Sequence, residues 1–319
     1  MAVYTDLTDD ELHGLLAAYD LGEPLSFKGI AEGVENSNFF LETTAGRYIL
    51  TIYEKRVARH DLPFFMHVME QLAQAGVKAP LPITMRSGEV LADVRGKPAA
   101  IISFLQGVSP RRPSPTQCRA VGESLALMHQ ALRGFPAARE NALSLPDWQA
   151  LTQPRLEQAE TLRPGLADSI TTDLAFLSKT WPTGLPRGVI HADLFPDNVL
   201  FIADQVSGLI DFYFACEDAL AYDLAICLNA WCFEPDRSFN ITKGARLIQG
   251  YESVRPLSPQ ERDAIPILAR GAAMRFFATR LADWAATPTS ALVCPKDPLE
   301  YADKLAFHAR AHGPGDYGA

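Results

Sequence analysis

The chain has 319 residues, 48% of them apolar, enough for one large domain or two packed lobes with a substantial core. Its 38 acidic against 29 basic residues give a net charge of −9, and no basic run offsets it, which argues against a nucleic-acid partner. The start, MAVYTDLTDDELHGLL, has no basic region ahead of an apolar core, and no run of about 18 apolar residues occurs anywhere, so neither a leader nor a membrane helix is expected. Five cysteines (Cys118, Cys216, Cys227, Cys232 and Cys294) form no C-x-x-C pair, the usage of a cytoplasmic protein with reduced thiols.

In chain order, residues 8–20 predict a helix: Thr8 and Glu11 have capping-box spacing, and Leu12, Leu15, Leu16 and Tyr19 share one face. KGIAEGVENSN reads as a glycine-bearing loop, and SNFFLETTAGRYILTIYE as two strands joined near TTAG. HDLPFFMHVMEQLAQAG predicts a helix capped by Asp61, with Pro63 in its first turn and Gly76 ending it. LPITMRSGEVLADVRGKPAAIISFLQG predicts further strands with turns at Ser87-Gly88 and Arg95-Gly96. From Ser114, a cap followed by Pro115 and Gln117, the character turns helical, through residues 147–180 and 220–285. The expected class is therefore α+β and bilobal. An N-terminal antiparallel-sheet lobe (1–105) precedes a larger, mainly helical C-terminal lobe (106–319), with a hinge near 104–110.

One β-like island interrupts the helical half: GVIHADLFPDNVLF, then QVSGLIDFYFA. It sets His191-x-Asp193-x-x-x-x-Asn198 between apolar runs and places Asp211 after a further strand. Phosphoryl transfer needs one carboxylate to take or orient the proton of an attacking hydroxyl, and oxygen ligands to hold Mg²⁺ on a triphosphate. Asp193 fits the first role; Asn198 and Asp211 fit the second. His191 is placed to brace the loop, and Asp197, beside Pro196, reads as part of the turn.

These segments, with EGVENSNFFLETTAGRYILTIYEKR (32–56) and GLIDFYFACEDALAYDLAICLNAWCF (208–233), resemble the aminoglycoside phosphotransferase and choline kinase branch of the protein-kinase-like fold. Within that branch the resemblance is greatest to the bacterial homoserine kinases of the kinase-like type. It implies transfer of the γ-phosphoryl of ATP, with Mg²⁺, to the hydroxyl of L-homoserine, in a cytoplasmic enzyme. It also implies Asp193 as base, Asn198 and Asp211 as metal ligands, and Asp223 as support for the catalytic loop. A kinase of the same fold acting on an aminoglycoside, choline or a sugar is the nearest alternative; a non-catalytic nucleotide-binding module is a second.

The chain departs from the kinase pattern in two places. Its nucleotide loop has Gly29 and Gly33 followed by Asn36, Ser37 and Asn38, whose backbone and side-chain donors are expected at the phosphates. Thr51 stands where the strand lysine of such kinases belongs, with Phe64 or Phe65 near the place of its glutamate, so Lys55, Arg47 and Lys28 are candidate substitutes. Backbone groups at Phe104 to Gln106 are expected to pair with adenine. On the substrate side, Arg275 within an apolar helical segment needs a partner, either a ligand carboxylate or an aspartate such as Asp283, and Tyr213 is a candidate contact for the ammonium.

Overall fold

A computed structural model describes residues 5–30, 36–54, 57–287 and 295–319. The chain divides into two compact units: Met1–Val108 with Ser207–Tyr213, and Ser109–Val206 with Phe214–Ala319. The boundary at Val108 falls within the hinge expected near 104–110, and the chain returns to the first unit for one short segment that a linear reading does not anticipate.

In the first unit, helix α1 (Asp9–Leu16) starts at the expected capping box: the Thr8 hydroxyl accepts the Glu11 N–H, and the Glu11 carboxylate accepts the Thr8 N–H. Five antiparallel strands follow, β1 (Pro24–Gly29), β2 (Ser37–Thr43), β3 (Gly46–Ile52), β4 (Ala92–Val94) and β5 (Lys97–Ser103), in the order β1-β2-β3-β5-β4. Alternation sends Phe39, Leu41, Leu50, Ile52, Ala99 and Ile101 to one face, where they pack with Leu12, Leu16 and Tyr19. Strand β1 was expected as loop at Lys28 and Gly29. It is an edge strand, largely exposed, and so carries no apolar alternation to read. The Arg95-Gly96 turn has φ of 54° and 78°, the mirror-image turn that matches strand twist. Helix α2 (Leu62–Gln74) buries Leu62, Phe65, Met66, Met69 and Leu72 as the stripe predicts. Asp61 does not cap it with its side chain, because a 3-10 turn at Arg59–Asp61 leads directly into the helix.

The second unit contains α3 (Pro115–Ala131), α4 (Leu145–Thr152), α5 (Leu156–Leu162), α6 (Leu166–Thr180), β6 (Arg187–Ile190), β7 (Val199–Ile202), the start of β8 (Gln205–Leu209), β9 (Cys216–Ala219), α7 (Leu220–Trp231), α8 (Ile241–Glu252), α9 (Pro259–Ala286) and α10 (Leu299–His308). β6 pairs antiparallel with β9, Ile190 opposite Cys216, and β7 pairs with β8. β9 and α10 have no counterpart in the sequence reading. Ser114 and Gln117 form the capping box of α3 as expected.

Helices α3 and α8 approach backbone to backbone. A Cβ on Gly122 would lie 2.0 Å from the Leu247 carbonyl oxygen, and one on Gly250 would lie 2.0 Å from that of Arg119. The approach matters because α3 carries His129 and α8 carries Tyr251, and these two side chains are hydrogen-bonded at 2.8 Å. Gly122→Ala gains up to about 1 kcal/mol of helix propensity. Overpacking against rigid backbone costs about 3 kcal/mol and wins. Urea denaturation should show a clear drop in midpoint for this variant; a midpoint at or above wild type would refute the close-approach argument.

Candidate functional site

In the second unit the polar loop 191–198 runs from the end of β6 to the start of β7. Asp223, one turn into α7 and fully buried, receives it. Its carboxylate accepts the N–H of His191 at 2.7 Å and of Ala192 at 2.9 Å, and lies 3.1 Å from His129 Nε2. Tyr251 holds His129 from the other side. Burial by itself would raise the Asp223 carboxyl. The His129 hydrogen bond and charge, with the charge and backbone N–H of His191, outweigh it and hold the group below its usual range. His191, also fully buried, accepts the Asp193 N–H on Nδ1 at 3.3 Å, which gives the expected brace a specific atom.

Asp193 and Asn198 are brought together. Asn198 Nδ2 donates to the Asp193 carbonyl at 2.8 Å and to its carboxylate at 3.1 Å, which leaves Oδ1 as the acceptor end of that amide. The Leu194 carbonyl accepts from Trp231 Nε1 at 2.7 Å. Asp197 is exposed, its carboxylate 3.9 Å from Lys296, consistent with a turn residue. Arg275 is 1% exposed, and Nη1 donates to the Ala192 carbonyl, a loop-backbone partner that the sequence reading did not name.

In the first unit, Asp211 is exposed with φ 66° and precedes a 3-10 turn, Phe212–Phe214. The Tyr213 hydroxyl is 3.0 Å from that of Tyr53, their rings edge to face. Burial, with the Asp211 charge adding to it, pushes the Tyr213 phenol up to about 12 despite hydrogen bonds from Tyr53 and Thr51. The phenol stays neutral at physiological pH.

The side chains expected at the phosphates also bond within the unit. Asn36 Oδ1 accepts the Glu54 N–H at 3.3 Å. The Ser37 hydroxyl donates to the Glu54 carboxylate at 2.8 Å and accepts the Thr5 N–H. Asn38 Oδ1 accepts the Thr51 hydroxyl at 2.8 Å. In Asn36 and Asn38 these contacts engage the amide oxygen, the acceptor end of the side chain. Ser37 and Asn38 begin β2, and strand pairing sets their side chains against β3 and its extension. Gly33 and Lys55 lie outside the described residues. At the hinge, the Phe104 N–H bonds the Arg47 carbonyl and the Gln106 carbonyl accepts from Ser207, so those two groups are already used within the unit. Of the candidate cations, Arg47 pairs with Glu42 and Lys28 is exposed on the edge strand. Lys97, which sequence did not single out, pairs with Glu54 and Thr5. It shares the alternation of Ala99 and Ile101, so it sits on the α1 face, opposite Thr51. His129, Tyr251 and Trp231 were also missed. His129 is 94 residues from Asp223, and no local spacing signals such a contact.

Residues 26–257 match the phosphotransferase enzyme family. The homoserine kinase of Sinorhizobium medicae (strain WSM419) is 58% identical over 318 residues, covering 100% of this chain and 98% of its own length. That of Caulobacter sp. (strain K31) is 61% identical over 309 residues, 97% of each chain. Among solved structures, amicoumacin kinase hAmiN in complex with AMP-PNP, Ca²⁺ and Ami superposes with a TM-score of 0.67 at 16% identity, over 98% of this chain and 93% of that one, a likeness of fold. Among the described residues no helix is long and apolar enough to cross a membrane.

Removing the Asp223 carboxylate leaves two buried loop N–H groups and a histidine without their acceptor. Asp223→Ala should lose about 3–5 kcal/mol of stability in urea denaturation; an unchanged midpoint would show that the loop is held by other means. Because the folded carboxyl titrates below the unfolded value of 3.8, its stabilisation is present above that pH and is lost as pH falls through the lower folded value. The acid limb of the stability curve should therefore flatten in Asp223→Asn.

Proposed function

The chain belongs to the phosphotransferase enzyme family, and from that premise we propose that it is a homoserine kinase, transferring the γ-phosphoryl of ATP to the hydroxyl of L-homoserine to give O-phospho-L-homoserine. Identity to homoserine kinases across the whole chain supports the acceptor. The observation that carries the chemistry is the Asn198 amide fixing the Asp193 carboxylate, on a loop itself fixed by Asp223.

Asp193 accepts the proton of the substrate hydroxyl. The hydroxyl oxygen then bonds to the γ-phosphorus, while the bond from that phosphorus to the bridging oxygen breaks and leaves with ADP. Holding the carboxylate in one orientation supplies the positional part of the rate. Asn198 Oδ1 and the Asp211 carboxylate are hard oxygen donors that fit Mg²⁺. When bound, the ion would neutralise charge on the phosphates. Backbone groups around residues 33–38 would receive the phosphates, and backbone groups of 104–106 other than the two already engaged would receive adenine. A cytoplasmic location, where ATP is supplied, belongs to the same reading.

A cavity of about 420 Å³ within the second unit, bordered by Pro196 of the loop, bears on the acceptor. Five cationic side chains line it, among them Arg237, Lys243 and Lys304, against three carboxylates, Glu234, Asp297 and Glu300. A lining of both signs with a cationic excess suits a small zwitterion and disfavours a polycationic aminoglycoside.

Coupled ADP release should be strongest with L-homoserine when compared with choline, sugars and aminoglycosides. Preference for another acceptor would replace the substrate, and ATP binding without any acceptor-dependent ADP would replace the activity. Asp193→Asn should lower kcat by roughly 10²- to 10⁴-fold with substrate binding kept; near-normal turnover would remove Asp193 as the base. Asp211→Ala should abolish the Mg²⁺-dependent rate, and an unchanged Mg²⁺ titration would exclude it as a ligand.

A further inference from the structure

Helix α9 carries three arginines within eleven residues, and they are not equivalent. Arg270 is ion-paired with Asp173, and Arg280 with Glu300. Arg275, the most buried of the three, has no ion pair among the described residues. Its Nη1 donates to the Ala192 carbonyl, its guanidinium lies 4.6 Å from the centre of the Phe276 ring and 5.6 Å from that of Phe214, and Nε has no hydrogen-bond partner. A buried cation without a carboxylate is costly to keep for stability alone.

What it holds is unusual backbone. Ala192 has φ of 64°, a left-handed conformation that an alanine adopts only under constraint. Its N–H is gripped by Asp223 at 2.9 Å and its carbonyl by Arg275. The next residue is Asp193. We infer that Arg275 is a positioning residue for phosphoryl transfer: with Asp223 it holds Ala192 in the left-handed conformation that aims the Asp193 carboxylate. The inference rests on the reading of Asp193 as the base and assigns to α9 a part in catalysis that no local motif marks.

The test is steady-state kinetics of Arg275→Lys, Arg275→Met and Arg275→Met combined with Ala192→Gly. Misplacing the base should cost Arg275→Met about 100-fold in kcat, with the KM values for homoserine and ATP within about twofold of wild type. Arg275→Lys keeps one donor and the charge, and should lose only about tenfold. Glycine adopts positive φ without the Cβ penalty, so adding Ala192→Gly to Arg275→Met should restore about tenfold of the lost kcat.

Wild-type kcat in both single variants overturns the inference. So does a raised homoserine KM at constant kcat, which would put the guanidinium on the substrate carboxylate. A kcat loss that tracks thermal stability, with no recovery from Ala192→Gly, overturns it as well. Should Arg275→Met not fold, Arg275→Lys decides: a tenfold lower kcat at wild-type KM supports the inference, and an unchanged kcat ends it. Failure of the base assignment shows separately, as normal turnover in Asp193→Asn whatever the Arg275 variants do.

Discussion

A single buried carboxylate organises the second unit. Asp223 has no exposure, and an aspartate in that setting must have its charge answered by donors or lose it. Here the answer is two successive backbone N–H groups and a histidine that is itself tethered to a tyrosine on another helix. The carboxylate stays ionised, and in doing so it fixes where the loop after β6 can lie. The glycine contact between α3 and α8 belongs to the same arrangement, because it sets the distance between the helices that bring His129 and Tyr251 together.

Each unit holds a non-glycine residue of the proposed chemistry, or its neighbour, in left-handed backbone: Ala192, just before Asp193, in the second and Asp211 in the first, with φ of 64° and 66°. Such conformations persist where surroundings over-determine them. For Ala192 the surroundings are visible: an acceptor on its N–H, a donor on its carbonyl, and burial of the residue itself. In the first unit the analogous restraint is aromatic. Tyr53, Tyr213 and Phe65 stack edge to face beside the segment that carries Asp211, which binds that segment to the sheet unit despite its position more than a hundred residues away in sequence.

The first unit also shows how a family motif can be written in different residues. Small polar residues after the nucleotide loop also tie the unit together: Ser37 donates to Glu54, and the Asn36 and Asn38 amide oxygens accept from Glu54 and Thr51. Among the described residues a lysine–glutamate pair of this unit, Lys97 with Glu54, sits on the face of the sheet covered by α1. Its position follows from strand alternation, and that alternation separates it from the face that Thr51 occupies.

Features with a local cause were legible from sequence. Capping boxes at Thr8 and Ser114, the apolar stripe of α2, the hairpin of β2 and β3, and the strand–loop–strand frame of Asp193 and Asn198 each depend on residues within a few positions of one another. Exposed or very short elements, β1 and β9, were not, because little burial means little pattern. The partners of Arg275, Tyr213 and Ser37 were decided only by tertiary structure. Each is a polar group whose burial obliges it to bond whatever acceptor or donor the fold brings near, and that neighbour comes from elsewhere in the chain. Sequence by itself determined which carboxylate and amide groups stand on the loop 191–198 and at Asp211. Long-range packing decided which of them are held still, since orientation depends on contacts made across the fold and not along the chain.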